Sequence, residues 1–435
     1  MPTPEHHTAI IIGGGPAGLP LAVVLGGWQP HYKETQLFRD RYTQIHEFLN
    51  SVEGSLLGVD FRSLVHAGIS PADLFRLLHH PSRKFHSLDE IGMSFRKGKT
   101  LDVLLITQEE VGGLWNNVPE NMPTLSPGQW MEFAFYPLAR HAQEKDLSLD
   151  VNDLIIKRNL VDYYHTVPER FEIQDRIHTG ERVNRVEPHD LGFLISSQDV
   201  VTETKHSYTC KYLIYAVGQR CILRSLGVPG EDLPFITNHY DNSLDFPGER
   251  VLVVGGGRSA DWAAIELHDA GKEVHYVMRQ SPEHHWRLIS DSRHGLPYYA
   301  RIADIIESGS SRFITHYNTK VSKFDDLDGG GLVTYMRDRQ EDRIEVDHVL
   351  LLIGGIADYS LFKGFPDLPL LEKFDNYRFQ VHQLPVHPHS YESTTIPNLY
   401  PGGYLAEGIG LVVIAMHGTT YAIAGNILQK EGMLN

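Results

Sequence analysis

The chain is poor in cysteine, has no long apolar run and carries fewer basic than acidic residues. Among 435 residues only Cys210 and Cys221 are cysteines, and they form neither a disulfide framework nor a Cys-x-x-Cys redox motif. No run approaches the ~18 apolar residues of a membrane span. The 55 acidic residues outnumber the 39 basic ones, and a net charge of −16 repels phosphate backbones. We therefore expect neither a membrane span nor nucleic-acid binding.

Length and ordinary composition predict two or three globular domains. The first strand-like run begins within about ten residues of the start, so we expect no signal peptide and a cytoplasmic location. The 25 histidines include groups at 79–86 and 284–285. None has the spacing of a closed zinc site and no cysteine lies near, so we predict no metal and expect solvated or locally hydrogen-bonded histidines.

Two glycine-rich loops are the strongest signals in the chain. Residues 13–18 (GGGPAG) follow the apolar run 9–12, and residues 255–260 (GGGRSA) follow the apolar run 251–254. In a dinucleotide fingerprint the glycines permit a tight turn, close approach of a pyrophosphate and close packing of helix on strand. The alternative for either loop is a plain tight turn between strand and helix. Two such loops predict two dinucleotides, FAD and a nicotinamide, bound at Gly13, Gly15, Pro16, Ala17 and Gly18, and at Gly255, Gly257, Arg258, Ser259 and Ala260.

The first unit carries a long insertion. A helix is expected over 19–25, but the next apolar strand comes only at 101–106. The intervening insert, about 33–98, is rich in histidine and arginine and has its own helical stretch at 71–78. We predict that it caps the adenine side of FAD or forms a subunit contact. A solvated decoration is the alternative.

Further apolar strands divide the rest of the chain. One ends in Ala216-Val217-Gly218, the second unit begins near Phe246, and residues 347–354 are expected to return the chain to the first domain before a helix over 415–428. The predicted fold is α/β with two Rossmann-like domains, the NADPH domain being inserted into a discontinuous FAD domain. The predicted boundaries are 1–240, 241–345 and 346–435.

Arg279 is the residue that predicts which nicotinamide cofactor is bound. It lies at the end of the second unit's second strand, 273–279, where a guanidinium can pair bidentately with a 2′-phosphate. This favours NADPH over NADH. The alternative is a solvent-facing arginine after a strand.

Other motifs resemble the class B flavin-containing monooxygenases: the Gly-Gly-Leu-Trp of 112–115, the strand end at 216–218, and His239-Tyr240 ahead of the second fingerprint. A narrower resemblance, to the monooxygenase-like oxidative-stress-induced growth inhibitor family, is carried by residues 13–32, 125–132, 295–299 and 349–354. It implies an FAD- and NADPH-dependent monooxygenase that transfers one oxygen atom of O2, through a flavin C4a-(hydro)peroxide, to a small organic nucleophile. N- or S-oxygenation is implied, with amine N-hydroxylation favoured. A homo-oligomer is compatible with this assignment.

The resemblance also assigns residues, with visible departures. The expected FAD contacts are Glu109, Gly113, Leu114, Trp115, Val183, Ala216, Gly218, Gly403 and Tyr404, and the candidate catalytic residues are Asn121 and Ser126. Thr107 and Gln108 stand where related flavoproteins have an acid after the second strand, and Gly403-Tyr404 replaces their Gly-Asp. Two alternative functions remain: an NAD(P)H-dependent flavin reductase or oxidase, and a flavoprotein-shaped growth regulator that acts by binding a partner.

Overall fold

A computed structural model describes residues 3–60, 69–82, 86–294, 297–365, 368–374, 380–409 and 412–434. The helices are α1 (Leu19–Leu25), α2 (Gln36–Arg41), α3 (Thr43–Asn50), α4 (Pro71–His79), α5 (Leu138–Glu144), α6 (Lys157–Arg170), α7 (Arg258–Asp269), α8 (Pro282–Ser292), α9 (Ala300–Ser308) and α10 (Val412–Lys430). The strands are β1 (Glu5–Ile12), β2 (Trp28–Tyr32), β3 (Met93–Lys97), β4 (Val103–Ile106), β5 (Ile177–His178), β6 (Glu181–His189), β7 (Gly192–Asp199), β8 (Lys205–Tyr215), β9 (Ile222–Leu223), β10 (Ile236–Thr237), β11 (Arg250–Val254), β12 (Glu273–Val277), β13 (Phe313–His316), β14 (Thr319–Leu327), β15 (Gly330–Arg337), β16 (Gln340–Val346), β17 (His348–Leu351), β18 (Gly355–Ile356), β19 (Leu371–Phe374), β20 (Gln380–Gln383) and β21 (Leu399–Pro401).

The first sheet has the order β5-β4-β1-β8-β7-β6, with β21 also paired to β8. Its centre is parallel: Ile11 of β1 lies opposite Leu105 on one side and Ile214 on the other. The apolar end of β1, residues 9–12, is buried, as expected of a parallel strand covered on both faces. The late strand predicted at 101–106 is therefore confirmed as β4, the neighbour of β1.

The second sheet is parallel throughout, in the order β10-β17-β11-β12-β13. The sequence predicts that residues 347–354 return the chain to the first domain, and this is wrong for most of that run. Leu350 of β17 lies opposite Val253 of β11, so 348–351 form a central strand of the second sheet. An apolar run fits either sheet, and the pairing partner decides between them.

Two short strands mark the actual crossings between the sheets. The strand β9 follows the end of β8, the strand β18 follows β17, and the two pair antiparallel, with Ile222 opposite Ile356. The chain thus leaves the first sheet at β9 and comes back at β18, and finally adds β21 beside β8. The predicted α/β fold, with one Rossmann-like unit inserted in the other, is confirmed. The helix predicted at 415–428 is observed as α10.

The insert belongs to the core, so its interpretation as a solvated decoration is wrong. The strand β3, near the end of the insert, pairs antiparallel with β2, which lies just before the insert begins, and α4 packs on α10. Its apolar side chains join the main hydrophobic cluster together with α1, and include Phe38, Leu49, Leu56, Leu74, Phe75, Leu78 and Met93. Of the two expectations for the histidines, solvated or locally hydrogen-bonded, the first is wrong for His79, His80 and His86, which are buried; His79 is hydrogen-bonded to Glu132. Arg83 and Lys84 lie outside the described residues.

Within the described ranges, no helix is both long and apolar enough to cross a membrane.

Candidate functional site

The first fingerprint lies where four strands of the first sheet end. Gly13 follows β1, Thr107 follows β4, Ala216 follows β8, and Gly402 follows β21. Backbone hydrogen bonds join these ends: Gly13 N donates to Ile106 O at 2.9 Å, and Gly402 N to Tyr215 O at 2.7 Å. This carboxyl edge is where doubly wound sheets bind their ligands.

The glycines of the first loop differ in what they allow. Gly13 has φ +109°, and a Cβ there would lie 2.5 Å from the carbonyl oxygen of Ala216. At Gly18 a Cβ would lie 1.9 Å from the carbonyl oxygen of Gly13. At Gly15 the nearest atom to such a Cβ is Cα of Gly113, at 3.6 Å. Gly13 and Gly18 are therefore needed by the fold, whereas Gly15 keeps open space above the loop.

Several backbone N–H groups of this loop have no hydrogen-bond acceptor among the described residues. Leu19 N donates to Gly15 O and Gly112 N to Gly14 O, whereas no acceptor for the N–H groups of Gly14, Gly15 or Ala17 is found in the part of the chain that the structure describes. Pro16 has no N–H to pair. Backbone donors at the start of a helix are the arrangement that holds a pyrophosphate. The loop therefore fits the phosphates of a dinucleotide.

The Gly-Gly-Leu-Trp turn covers this loop. Gly113 has φ +57°, and a Cβ on it would lie 2.8 Å from Cα of Gly15. Leu114 is exposed, while Trp115 is half-buried and packs on the main hydrophobic cluster. The structure thus brings 113–115 beside the fingerprint. Much of the Trp115 side chain is occupied in packing against the main hydrophobic cluster.

Thr107 and Glu109 lie after β4, where related flavoproteins have an acidic residue. Thr107 is buried, and a Cβ placed on Gly14 would lie 3.1 Å from its side chain. Glu109 comes two residues later and is half-buried, and its Oε2 accepts a hydrogen bond from Asn117 Nδ2 at 2.6 Å. Thr107 therefore packs against the loop, and Glu109 is the first carboxylate on this edge.

The remaining FAD candidates spread along the same sheet. Gly403, two residues after the end of β21, has φ +59°, and Tyr404 O accepts from Gln219 Nε2 at 3.1 Å. Gly218 has φ +79° with open space around it. Val183 is buried in β6 beside a register shift at Val183–Arg185. Gly403, Tyr404 and Gly218 thus lie by the ends of β21 and β8, whereas Val183 lies on a more distant strand of the sheet.

The second fingerprint repeats the arrangement on the second sheet. Gly255 has φ +148°, and a Cβ there would lie 2.4 Å from Leu352 O and 3.0 Å from Cβ of Ala260. Gly255 N donates to Val277 O, which ties the loop to the end of β12. Gly257 caps α7, which begins at Arg258. The geometry is that of a second dinucleotide loop, and Ala260 is small because the helix packs closely there.

Two residues near the second loop were missed by sequence reasoning. Gln280 Nε2 donates to Gly256 O at 3.2 Å, so this side chain lies over the loop. Arg220, from the linker after β8, places Nη1 3.5 Å from Ser259 Oγ. Neither is part of a recognisable motif; their positions just after strand ends are the only sequence signal. Arg279 is exposed beyond the end of β12.

The two catalytic candidates are placed differently. Asn121 is exposed, and its Nδ2 donates to Glu266 Oε1 on α7 at 3.2 Å, while Tyr240 OH donates to Glu266 Oε2 at 3.1 Å. Met122 is buried in the hydrophobic cluster of the second unit. Asn121 therefore belongs to a contact between the two units. Ser126 is half-buried on the same segment.

The cysteines do not form a redox pair. Both are free; Cys210 is buried within β8, where burial raises the pKa of its thiol, and Cys221 is exposed in the linker. Neither cysteine lies in a fingerprint loop. Small residues such as Ala17 and Ser259 occupy the corresponding positions in the two loops.

The chain is similar to known proteins in sequence and in fold. The chain is 25% identical over 478 residues to human oxidative stress-induced growth inhibitor 1, covering 98% of this chain and 96% of the relative. The resemblance to that group is thereby confirmed along the whole chain. Bacillithiol disulfide reductase from Staphylococcus aureus shares the fold with a TM-score of 0.65 at 17% identity, covering 98% and 99% of the two chains. Ornithine hydroxylase from Pseudomonas aeruginosa does so with a TM-score of 0.62 at 14% identity, covering 98% and 99%.

A family model described as pyridine nucleotide-disulphide oxidoreductase matches residues 90–403. That range begins after the first fingerprint, and it contains the ends of β4, β8 and β21 and the whole second fingerprint. The chain belongs to the pyridine nucleotide-disulphide oxidoreductase family.

Proposed function

We propose that this flavin-dependent oxidoreductase is an NADPH-dependent FAD monooxygenase. It inserts one oxygen atom of O2 into a small organic nucleophile, with amine N-hydroxylation favoured over S-oxygenation. The observation that carries the proposal is the combination of two dinucleotide loops with no cysteine pair beside either. Without a dithiol, electrons from a nicotinamide pass to O2 or to an external acceptor. The class B motifs favour O2.

FAD and NADP(H) are the cofactors of this oxidoreductase, and FAD fits the first loop. The N–H groups of Gly14, Gly15 and Ala17 have no acceptor among the described residues, and Gly113 lies against Gly15. Bound there, FAD supplies hydride acceptance and oxygen activation. The contribution of the chain is to hold the phosphates, to place Glu109 on the same edge, and to exclude water with the Trp115 turn.

NADPH fits the second loop for a reason of charge. Arg258 begins α7, Arg220 reaches Ser259 from the linker, and Arg279 follows β12. Guanidinium groups pair with phosphates through charge-assisted hydrogen bonds. In a chain of net charge −16, basic residues at this loop favour an anionic ligand, and Arg279 is the proposed reader of the 2′-phosphate.

Asn121 and Ser126 remain the proposed polar contacts to substrate. They lie on the segment that runs from the Trp115 turn to the second unit, where Asn121 touches Glu266. Burial raises the pKa of Glu266, and hydrogen bonds from Asn121 and Tyr240 oppose that rise. A substrate amine that binds here meets a carboxyl group and an amide, both of which hydrogen-bond amines.

The test is oxygen transfer. The purified, flavin-loaded chain is given NADPH, isotopically labelled dioxygen and panels of amines, sulfides and ketones, and the products are weighed by mass spectrometry. Incorporation of one labelled atom supports the monooxygenase. NADPH oxidation that yields only hydrogen peroxide, or reduction of an added electron acceptor with no label in any product, supports the reductase or oxidase that the family name also permits.

A colourless protein that rejects FAD would instead support partner-binding regulation, as the name of the human relative suggests. The small number of cysteines keeps a reducing, cytoplasmic location as part of the proposal.

A further inference from the structure

Three histidines of the insert meet inside the protein. His79 ends α4, His80 follows it, and His86 comes after a short connection. All three are buried, at 0%, 3% and 7% exposure. One ring nitrogen from each lies within 4.8 Å of the others. Sequence spacing alone did not indicate this, because two of the three are adjacent in the chain.

A buried carboxyl group faces two of these rings. Glu132 Oε1 lies 3.1 Å from His79 Nε2 and 3.8 Å from His86 Nε2, and Glu132 Oε2 accepts from Leu138 N at 2.7 Å. Glu132 is 2% exposed. Because the backbone N–H of Leu138 holds Oε2, Oε1 of Glu132 is kept on the side of the histidines.

Neighbouring side chains hold the rings in place. Gln129 Nε2 donates to His86 O at 2.7 Å, and His86 N donates to Gln129 Oε1 at 3.3 Å. Trp130 stacks on His80 with the ring planes 19° apart. Nδ1 of His86 is buried without a hydrogen-bond partner among the described residues, which costs free energy unless something binds it.

We propose that His79, His80 and His86, together with Glu132, form a binding site for one divalent transition-metal ion, with Zn²⁺ as the expected occupant. Imidazole nitrogens and a carboxylate are ligands for zinc, cobalt, nickel and copper, whereas magnesium and calcium require oxygen-rich sites. Tetrahedral zinc with Zn–N bonds of about 2.0–2.1 Å places its ligand atoms roughly 3.3 Å apart. The histidine nitrogens need to close by about 1.5 Å at most, which ring rotation and small shifts supply.

The site has a structural rather than a flavin-related role. It joins α4 of the insert to the segment 129–132, and α4 itself packs on α10. A bound ion therefore clamps the insert onto the first unit. The carboxylate of Glu132 completes the coordination or orients the His79 ring through its second nitrogen, as carboxylate–histidine–metal pairs do.

The experiment uses the full-length, flavin-loaded chain. After chelator treatment and dialysis, Zn²⁺ is titrated by calorimetry, and thermal unfolding is followed at rising Zn²⁺. We expect one ion per chain and an unfolding temperature that rises with Zn²⁺, because the ion binds the folded state. His86→Gln is expected to weaken Zn²⁺ by at least about a hundredfold, and Glu132→Gln by about ten- to a hundredfold. Both variants should retain FAD.

The matched control is His316→Gln, which removes another buried histidine, one that contacts His275 at 3.0 Å outside this cluster. It should bind Zn²⁺ as the wild-type chain does. If His86→Gln fails to fold, the comparison of Glu132→Gln with His316→Gln decides. Wild-type binding weaker than millimolar, or equal Zn²⁺ affinity in wild-type chain and folded cluster variants, overturns the proposal.

Discussion

Gly15 offers a substitution that separates FAD binding from folding. Its φ is not in the left-handed region, and a Cβ on it would meet only Cα of Gly113, at 3.6 Å. The fold therefore accepts a side chain at Gly15, and we expect Gly15→Val to change the free energy of unfolding of the apoprotein by no more than about 1 kcal/mol. The branched side chain occupies the open side of the loop and blocks the approach of the pyrophosphate to its N–H groups.

The size of the effect follows from the donors that are blocked. A hydrogen bond to a charged group is worth about 1.5–3 kcal/mol, so losing two of them costs about 3–6 kcal/mol, or roughly a hundredfold to ten-thousandfold in FAD affinity. Gly15→Ala should give a smaller loss. Gly18→Ala is the contrasting variant, because its Cβ would lie 1.9 Å from Gly13 O and should disrupt folding itself. The assay is flavin absorbance per folded chain together with apoprotein melting. A folded Gly15→Val chain with stoichiometric FAD would refute this account of the loop.

Three further predictions follow from the other sites. Arg279→Ala should weaken NADPH by roughly ten- to a hundredfold and leave NADH nearly unchanged in steady-state kinetics, and equal losses for both would assign the 2′-phosphate to another residue. Asn121→Asp places a carboxyl group about 3.2 Å from Glu266 Oε1, and should loosen the contact between the two units and lower the melting temperature more than Asn121→Ala does. A smaller loss in Asn121→Asp than in Asn121→Ala would contradict the expected repulsion between the two carboxyl groups. Burial and the neighbouring His275 lower the pKa of His316 from 6.5 to about 4, so the unfolded chain takes up a proton that the folded chain excludes. Stability should therefore fall as pH drops from about 6.5 to 4, by at most about 3 kcal/mol, and His316→Gln should flatten that slope in urea titrations; an unchanged slope in His316→Gln would contradict this assignment.

The cofactor loops were predictable because their signal is local. Gly18 is required by the carbonyl oxygen of Gly13, which is close in the chain, and the motif itself marks Gly13 and Gly15 whatever strands lie beside them. The strand β4 was predictable for a similar reason, since a short apolar run such as Val103–Ile106 is typical of a parallel strand covered on both faces.

Pairing and burial across long separations were not predictable. The run 347–354 shows a strand clearly, but nothing in it tells which sheet will accept it. Polar residues concealed β2 and β3, whose partners lie more than sixty residues apart in the chain. The burial of His79 depends on Glu132, which lies in a different segment and supplies its hydrogen bond. Gln280 reaches the second loop only because β12 ends beside it.

Hydride transfer within one chain tests the central claim most directly. The flavin-loaded protein is mixed anaerobically with NADPH in a stopped-flow instrument while its visible flavin absorbance is followed. We expect the absorbance to bleach in the wild-type chain, to bleach more slowly at limiting NADPH in Arg279→Ala, and to recover on admission of O2. A flavin that stays oxidised in the presence of saturating NADPH would contradict the pairing of FAD at the first loop with NADPH at the second.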